Sequence, residues 1–267
     1  MGPRLADRVG GAPQASWVER EATRRHPGDD TAIAAEVEAM ASAVEAGQPL
    51  QYVLGSWSFR GLELKVDRRA LIPRPETEQV VELALAILDA GPAGPVLDLG
   101  TGSGAIALAI AAERPNRRVV ATDASGAALE LAGENAAALG LTVELQQGSW
   151  FDAVPSDLNA CFALLISNPP YVPDEAYGTL EPQLRHEPRM ALTAGAGTSG
   201  VPGCADLELI CRAASAWLTP GGALVLEHGE EQGDRLAELL GELGFREVRV
   251  EHDLAGHVRA TTARWRP

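Results

Sequence analysis

The sequence predicts a doubly wound α/β protein, and three observations carry that expectation. From Pro95 onward short apolar runs alternate with helical stretches, the pattern of a sheet covered by helices on both faces. The first run, Val96-Leu97-Asp98-Leu99, passes directly into Gly100-Thr101-Gly102-Ser103-Gly104 and then a helix, and the second ends on an acid, Asp123. Ligands in such sheets sit over the carboxyl ends of the strands. The glycine loop, Asp123 and the later segment Ser167-Asn168-Pro169-Pro170-Tyr171 all fall at that edge.

In chain order, two helices are expected between about residues 15 and 46, broken at His26-Pro27-Gly28-Asp29-Asp30, with Ile33, Val37, Met40, Ala41 and Val44 at helical spacing. Residues 1–48 are therefore read as a small helical N-terminal domain. Residues 49–72 are read as a linking β-hairpin: Gln51-Tyr52-Val53-Leu54, then Trp57-Ser58-Phe59, a turn at Arg60-Gly61, and Leu62 to Val66 in strict alternation. Residues 73–267 form the main domain. The segment Leu71-Ile72-Pro73-Arg74-Pro75-Glu76-Thr77-Glu78 crosses that boundary and leads into an amphipathic helix of Val80, Val81, Ala84, Leu85 and Leu88 whose first-turn acids suit the helix dipole. Strands follow at 96–99, 118–122, 143–145, 161–166, 223–227, 246–251 and 257–265, seven in all, with helices at 106–113, 127–139, 205–218 and 230–243.

The formal charge of −15 is carried entirely beyond residue 74, since residues 1–74 hold ten basic and ten acidic side chains. Proteins that grip bulk nucleic acid neutralise phosphates with clustered Lys and Arg, so direct nucleic-acid binding is not expected. Three cysteines with no Cys-x-x-Cys pair argue for reduced thiols in the cytoplasm, and the five histidines show no zinc-ligand spacing. No signal region or membrane-length apolar run is present, so no membrane partner is expected, and the working unit is expected to be a monomer.

The glycine loop suits either of two nucleosides. A strand, Gly-x-Gly-x-Gly, a helix start and Asp123 placed for ribose hydroxyls serve NAD and S-adenosylmethionine alike, although Ala105 stands where the third glycine of the dinucleotide spacing would be. Asp98 is a polar residue in an apolar run and is expected to orient the loop or meet the ligand. Trp150 follows the third strand, where an adenine ring would stack or be hydrogen-bonded through neighbouring backbone, burial in the core being the other reading of this residue. The prolines of Asn168-Pro169-Pro170-Tyr171 hold the chain extended. The Asn168 side-chain oxygen and the Pro169 carbonyl would then accept both hydrogens of an NH2 group, with Tyr171 as a flat wall. An adenosine pocket beside an NH2-gripping loop points to methyl transfer to nitrogen.

At this point the sequence resembles the protein-(glutamine-N5) methyltransferases that modify peptide-chain release factors. The resemblance is carried by Gly47 to Gly55 (GQPLQYVLG), Leu71 to Glu78 (LIPRPETE), Val96 to Gly104 (VLDLGTGSG) and Ser167 to Tyr171 (SNPPY), with weaker echoes at Glu187-Pro188-Arg189, Pro220-Gly221-Gly222 and Asp253 to Gly256. It implies a Rossmann-like seven-stranded methyltransferase sheet with a reversed last strand, preceded by a helical domain and a hairpin. It also implies S-adenosylmethionine, leaving as S-adenosylhomocysteine, held by Gly100 to Gly104, Asp123, Trp150 and Asn168, and a glutamine amide of a release factor held by Asn168 to Tyr171. A relative recruited to another amide or amine, a nucleic-acid adenine N6-methyltransferase and a module that only senses the cofactor remain the competing readings.

Overall fold

The computed structural model describes residues 4–267, so Met1 to Pro3 of the expected appendage lie outside the described residues. The helical part comprises α1 (Leu5–Val9), α2 (Ala12–Arg25) and α3 (Asp30–Glu45). Helix α1 is not among the expected helices, and α2 begins at Ala12 rather than near residue 15, with Pro13 in its first turn, where a missing N–H does no harm. The Asp29 side chain accepts from Ala32 N and caps α3. Val9, Val18, Met40, Ala41 and Leu54 make a small core of their own.

Residues 50–54, expected as part of the hairpin, instead form a short helix, α4 (Leu50–Leu54). A five-residue apolar run does not distinguish strand from helix by periodicity. Here the Pro49 carbonyl accepts from Tyr52 N and Val53 N, and Gly55, at φ 80°, ends the turn. The hairpin itself is β1 (Ser56–Phe59) and β2 (Leu62–Lys65), antiparallel, with Phe59 opposite Leu62. Two side chains fix it to the rest of the chain. Arg60, at the turn, donates to the carboxylates of Glu82 and Glu113. Asn135 accepts from Lys65 N (2.7 Å) and donates to Lys65 O (3.1 Å) and to Ser103 O (2.9 Å), so one carboxamide joins the hairpin to the glycine loop.

The main sheet is built from β3 (Val96–Leu99), β4 (Val119–Asp123), β5 (Glu144–Gln147), β6 (Phe162–Ser167), β9 (Leu218–Glu227), β10 (Arg246–His252) and β11 (Val258–Arg264), in the order β10-β11-β9-β6-β3-β4-β5. The five strands from β9 to β5 run parallel, and β11 and β10 complete the edge antiparallel. The helices α5 (Pro75–Asp89), α6 (Ala105–Glu113), α7 (Gly126–Leu139), α8 (Ala205–Trp217) and α9 (Gly233–Glu242) flank it. Apolar cores lie on both faces, one including α5 and α6 and the other α8 and α9. Helix α6 is buried from Ala105 to Ala111, and its sequence is accordingly apolar on every side. Strand β9 starts at Leu218 rather than Ala223; its pairing with β6 slips between Phe162 and Leu164, around Pro220-Gly221-Gly222.

Register determines which residues share the ligand edge. Leu99 pairs with Thr122 on one side and Ser167 on the other, and Ser167 pairs with Leu226. One step beyond these four lie Gly100, Asp123, Asn168 and Glu227. After β6 the chain makes an excursion of short 3-10 turns, bracketed by the small pair β7 (Val172–Pro173) and β8 (Thr193–Ala194), before entering α8. Among the described residues no helix is long and apolar enough to cross a membrane.

Candidate active site

The glycine loop is held from below by the sheet and from the side by an acid. Gly100 N and Thr101 N both donate to Thr122 O (2.8 and 2.9 Å), and Gly102 N donates to Asp123 Oδ2 (2.8 Å). Gly104 adopts φ 85°, and a Cβ there would lie 3.0 Å from Leu108 and 3.2 Å from Ala132, so a side chain would be strained by the backbone and crowded by helix packing. Asp98, fully buried, accepts from Thr101 Oγ1 (2.6 Å) and Ala107 N (3.2 Å) through Oδ2, while Oδ1 has no partner. Burial pushes this carboxyl up to about 7, outweighing the two donors. Its place is beneath the loop, which it ties to the start of α6.

Asp123 accepts one backbone N–H on each oxygen, Gly102 on Oδ2 and Ser125 on Oδ1 (both 2.8 Å). Each oxygen keeps a free lone pair, an arrangement suited to a vicinal diol. Burial raises its pKa and the two N–H donors oppose the rise. Trp150 has a positive φ of 46°, unusual for a bulky residue. Its carbonyl accepts from Thr122 Oγ1 (2.9 Å), its indole N–H donates to Asp206 Oδ1 (3.2 Å), and its ring lies so near Gly100 that a Cβ there would meet it at 3.2 Å.

Gly100, Thr101, Gly102, Ser103, Asp123 and Trp150 line one cavity of about 390 Å³, and Asn168 and Pro170 line the same cavity. The structure thus brings the glycine loop and the Asn-Pro-Pro segment together. Asp98, Gly104, Pro169 and Tyr171 do not line it. Pro169 is buried. Tyr171, expected as a wall for a planar group, is placed against the core of the α8–α9 face instead. Its carbonyl is clamped by Gln232 Nε2 (2.9 Å), and Gly203 packs so closely that a Cβ there would overlap that carbonyl at 2.0 Å. Burial first, then the nearby Glu227, push the Tyr171 phenol up to about 12. The cavity's apolar walls come instead from Leu71, Ile106 and Met190, the last 57% exposed at the mouth.

Residues the sequence reading did not single out complete the site. Thr77, in the first turn of α5, donates to Glu227 Oε2 (2.7 Å) and accepts from Asn168 Nδ2 (3.3 Å). Glu187, from the excursion, accepts from Ile72 N (2.8 Å) and Arg74 (2.5 Å). Asp206 receives the Trp150 indole, and its own pKa is raised by burial. Glu227 carried a readable signal: like Asp123, it is an acid that ends an apolar strand.

The family model described as the methyltransferase small domain matches residues 76–195. Among solved structures, a methyltransferase from Pyrococcus furiosus superposes with a TM-score of 0.54 at 20% identity, covering 76% of this chain and 88% of that one. The 16S rRNA N2 G1207 methyltransferase of T. thermophilus, in complex with AdoMet and guanosine, gives 0.56 at 19% identity, covering 79% and 50%. These structures share the fold of the chain, and the family model places a methyltransferase small domain within it. Curated relatives narrow this further. The release factor glutamine methyltransferase of Vibrio cholerae is 41% identical over 236 residues, 87% of this chain and 79% of that protein, and that of Xylella fastidiosa strain 9a5c is 43% identical over 241 residues, 89% and 85%. The chain belongs to the release factor glutamine methyltransferases.

Proposed function

We propose that this chain transfers a methyl group from S-adenosylmethionine to the side-chain amide nitrogen (N5) of a glutamine in a peptide-chain release factor, leaving S-adenosylhomocysteine. One observation carries the reading of the site. Asn168 lines the cavity with its Nδ2 engaged by Thr77, and among the described residues no donor reaches its Oδ1. An unpaired acceptor at a strand end, across a cavity from a glycine loop and a diol-binding acid, suits an incoming NH2 group.

The residues present fit the cofactor. The loop backbone approaches closely through Gly100 and Gly102, Asp123 offers two free lone pairs for ribose hydroxyls, Trp150 provides a face for adenine, and the cavity of about 390 Å³ has the size of a small-molecule site. When bound, the cofactor supplies an electrophilic methyl group. The protein's part is orientation and electrostatics. Asn168 Oδ1, which lines the cavity, accepts an amide hydrogen of the substrate, aims the nitrogen and favours the positive charge that develops on it, whereas the buried Pro169 holds the segment in place from behind. Asp98 keeps the loop in register with α6 from below.

The surplus of acid beyond residue 74 favours a basic protein partner over a phosphate backbone. In this reading a single chain is the working unit. The same reading puts the enzyme in the cytoplasm, with no membrane partner. Methyl transfer from labelled cofactor to a release factor, to DNA and to RNA, measured side by side, tests the reading. Transfer to release-factor glutamine is expected, and transfer to adenine in either nucleic acid instead would overturn it.

A further inference from the structure

An asparagine side chain is nearly symmetric in shape but not in chemistry. Turning its amide over exchanges an acceptor for a donor at almost no steric cost, and an NH2 facing a substrate NH2 repels it. Something must therefore set the polarity of Asn168. Its partner Thr77 does not do so alone, because a hydroxyl both donates and accepts. With its single hydrogen free, Thr77 would serve either orientation of Asn168 equally well.

Glu227 removes that ambiguity. The Thr77 hydroxyl lies 2.7 Å from Glu227 Oε2, and both residues are buried, at 4% and 1% exposure. An ionised carboxylate accepts and never donates, so it takes the only hydrogen of Thr77. Thr77 Oγ1 is left with lone pairs alone, and Asn168 meets it with Nδ2, at 3.3 Å. Oδ1 then faces the cavity. The three residues come from α5, from the end of β9 and from the end of β6, and the pairing of Ser167 with Leu226 sets Asn168 and Glu227 side by side. We infer that Thr77 and Glu227 are positioning residues that fix the polarity of Asn168, so that the site accepts from, and thereby selects, an amide NH2. This rests on the reading of Asn168 given above and adds to it what holds that residue in its working orientation.

The relay has a built-in point of failure. A protonated Glu227 donates to Thr77, whose own hydrogen is then free for Asn168 Oδ1, and the amide turns over. Burial pushes Glu227 up to about 7, with Thr77, Arg259 and Arg74 pulling it down and Glu76 pulling it up. Tyr171 stays neutral in that range. His228, next in the chain, is held below its ordinary value by burial, with its ring nitrogens occupied by Gly229 O and Thr261 Oγ1. Turnover should therefore rise with pH as Glu227 ionises.

The test compares Thr77→Val, Thr77→Ser, Glu227→Gln and Asn168→Ala, with affinity for S-adenosylhomocysteine as a check on the cofactor site. Thr77→Val should lose roughly ten- to a hundredfold in turnover with that affinity unchanged, and Thr77→Ser should restore it. The acidic limb of the wild-type rate profile should vanish in Glu227→Gln. In the substrate-free protein the Asn168 side-chain amide resonances should titrate together with Glu227, a readout that stands even where the valine variant fails to fold. Wild-type turnover in a folded Thr77→Val while Asn168→Ala is inactive would overturn the relay and leave the proposed function standing; so would an acidic limb that persists in Glu227→Gln, or Asn168 resonances that do not move. Full activity in Asn168→Ala would instead remove the reading on which the relay rests.

Discussion

The guanidinium of Arg74 lies 2.5 Å from the carboxylate of Glu187, which is itself buried and also accepts from Ile72 N. Two stretches 113 residues apart, the lead into α5 and the excursion after β6, are held together by this one acid. Both contribute cavity walls, through Leu71 and Arg74 on one side and Met190 and Thr193 on the other. Glu187→Ala leaves the Ile72 N–H without its acceptor in a closed setting, which should lower stability by about 1–3 kcal/mol. Urea unfolding checks this, and an unchanged midpoint would show that the contact contributes nothing net.

Asp123 takes one backbone N–H on each oxygen and offers the remaining lone pairs to the cavity. Asp123→Ala should weaken S-adenosylmethionine binding by about 1–3 kcal/mol, the scale for hydrogen bonds to a charged group. Calorimetry on a folded variant with unchanged affinity would dismiss the role.

Asn168→Ala deletes the cavity-facing acceptor, and its loss should appear in turnover more than in cofactor affinity. A drop of roughly a hundredfold or more is expected if acceptance operates in the transition state. Asn168→Asp keeps an acceptor of the same shape and should retain part of the activity. Equal losses in the two variants, with cofactor binding intact, would argue that the amide nitrogen of Asn168 matters more than its oxygen.

Stability should depend on Asp98 in a definite direction. Its carboxyl rises from an ordinary 3.8 to about 7 on burial, so between those values the folded chain keeps a proton that the unfolded chain has released. The resulting stability is present in full below pH 3.8 and is lost as pH climbs toward about 7. The slope has a ceiling of about 1.4 kcal/mol per pH unit for one group. Glu227, also raised to about 7, adds to the same slope. Asp98→Asn should flatten the fall in unfolding free energy across this window, and a slope identical to wild type would show that Asp98 is not protonated in the folded protein.

The parts legible in the sequence were those set by local chemistry. Val96 to Leu99 running into glycines, Asp123 ending an apolar strand, and prolines stiffening the segment after Asn168 each announce themselves within a few residues. The wrong or missing parts depend on distance or on balance. Leu50 to Leu54 has no period to choose helix over strand, and the choice fell to Pro49 and Gly55. Nothing local reveals that Thr77 meets Glu227, 150 residues away, since only the packing of α5 against the end of β9 brings them together. Tyr171 was read as a wall because of its neighbours in sequence, whereas Gln232 and Gly203 turn its backbone toward the core.

The carboxamide of Asn135, satisfied at both ends, leaves the hairpin and Ser103 no independent freedom. Neither neighbour can shift by more than a hydrogen bond's tolerance without dragging the other or opening a buried pair. A nucleoside seated against the glycine loop therefore meets a loop whose place is also set by the hairpin, 32 residues and more away in sequence from the side chain that joins them.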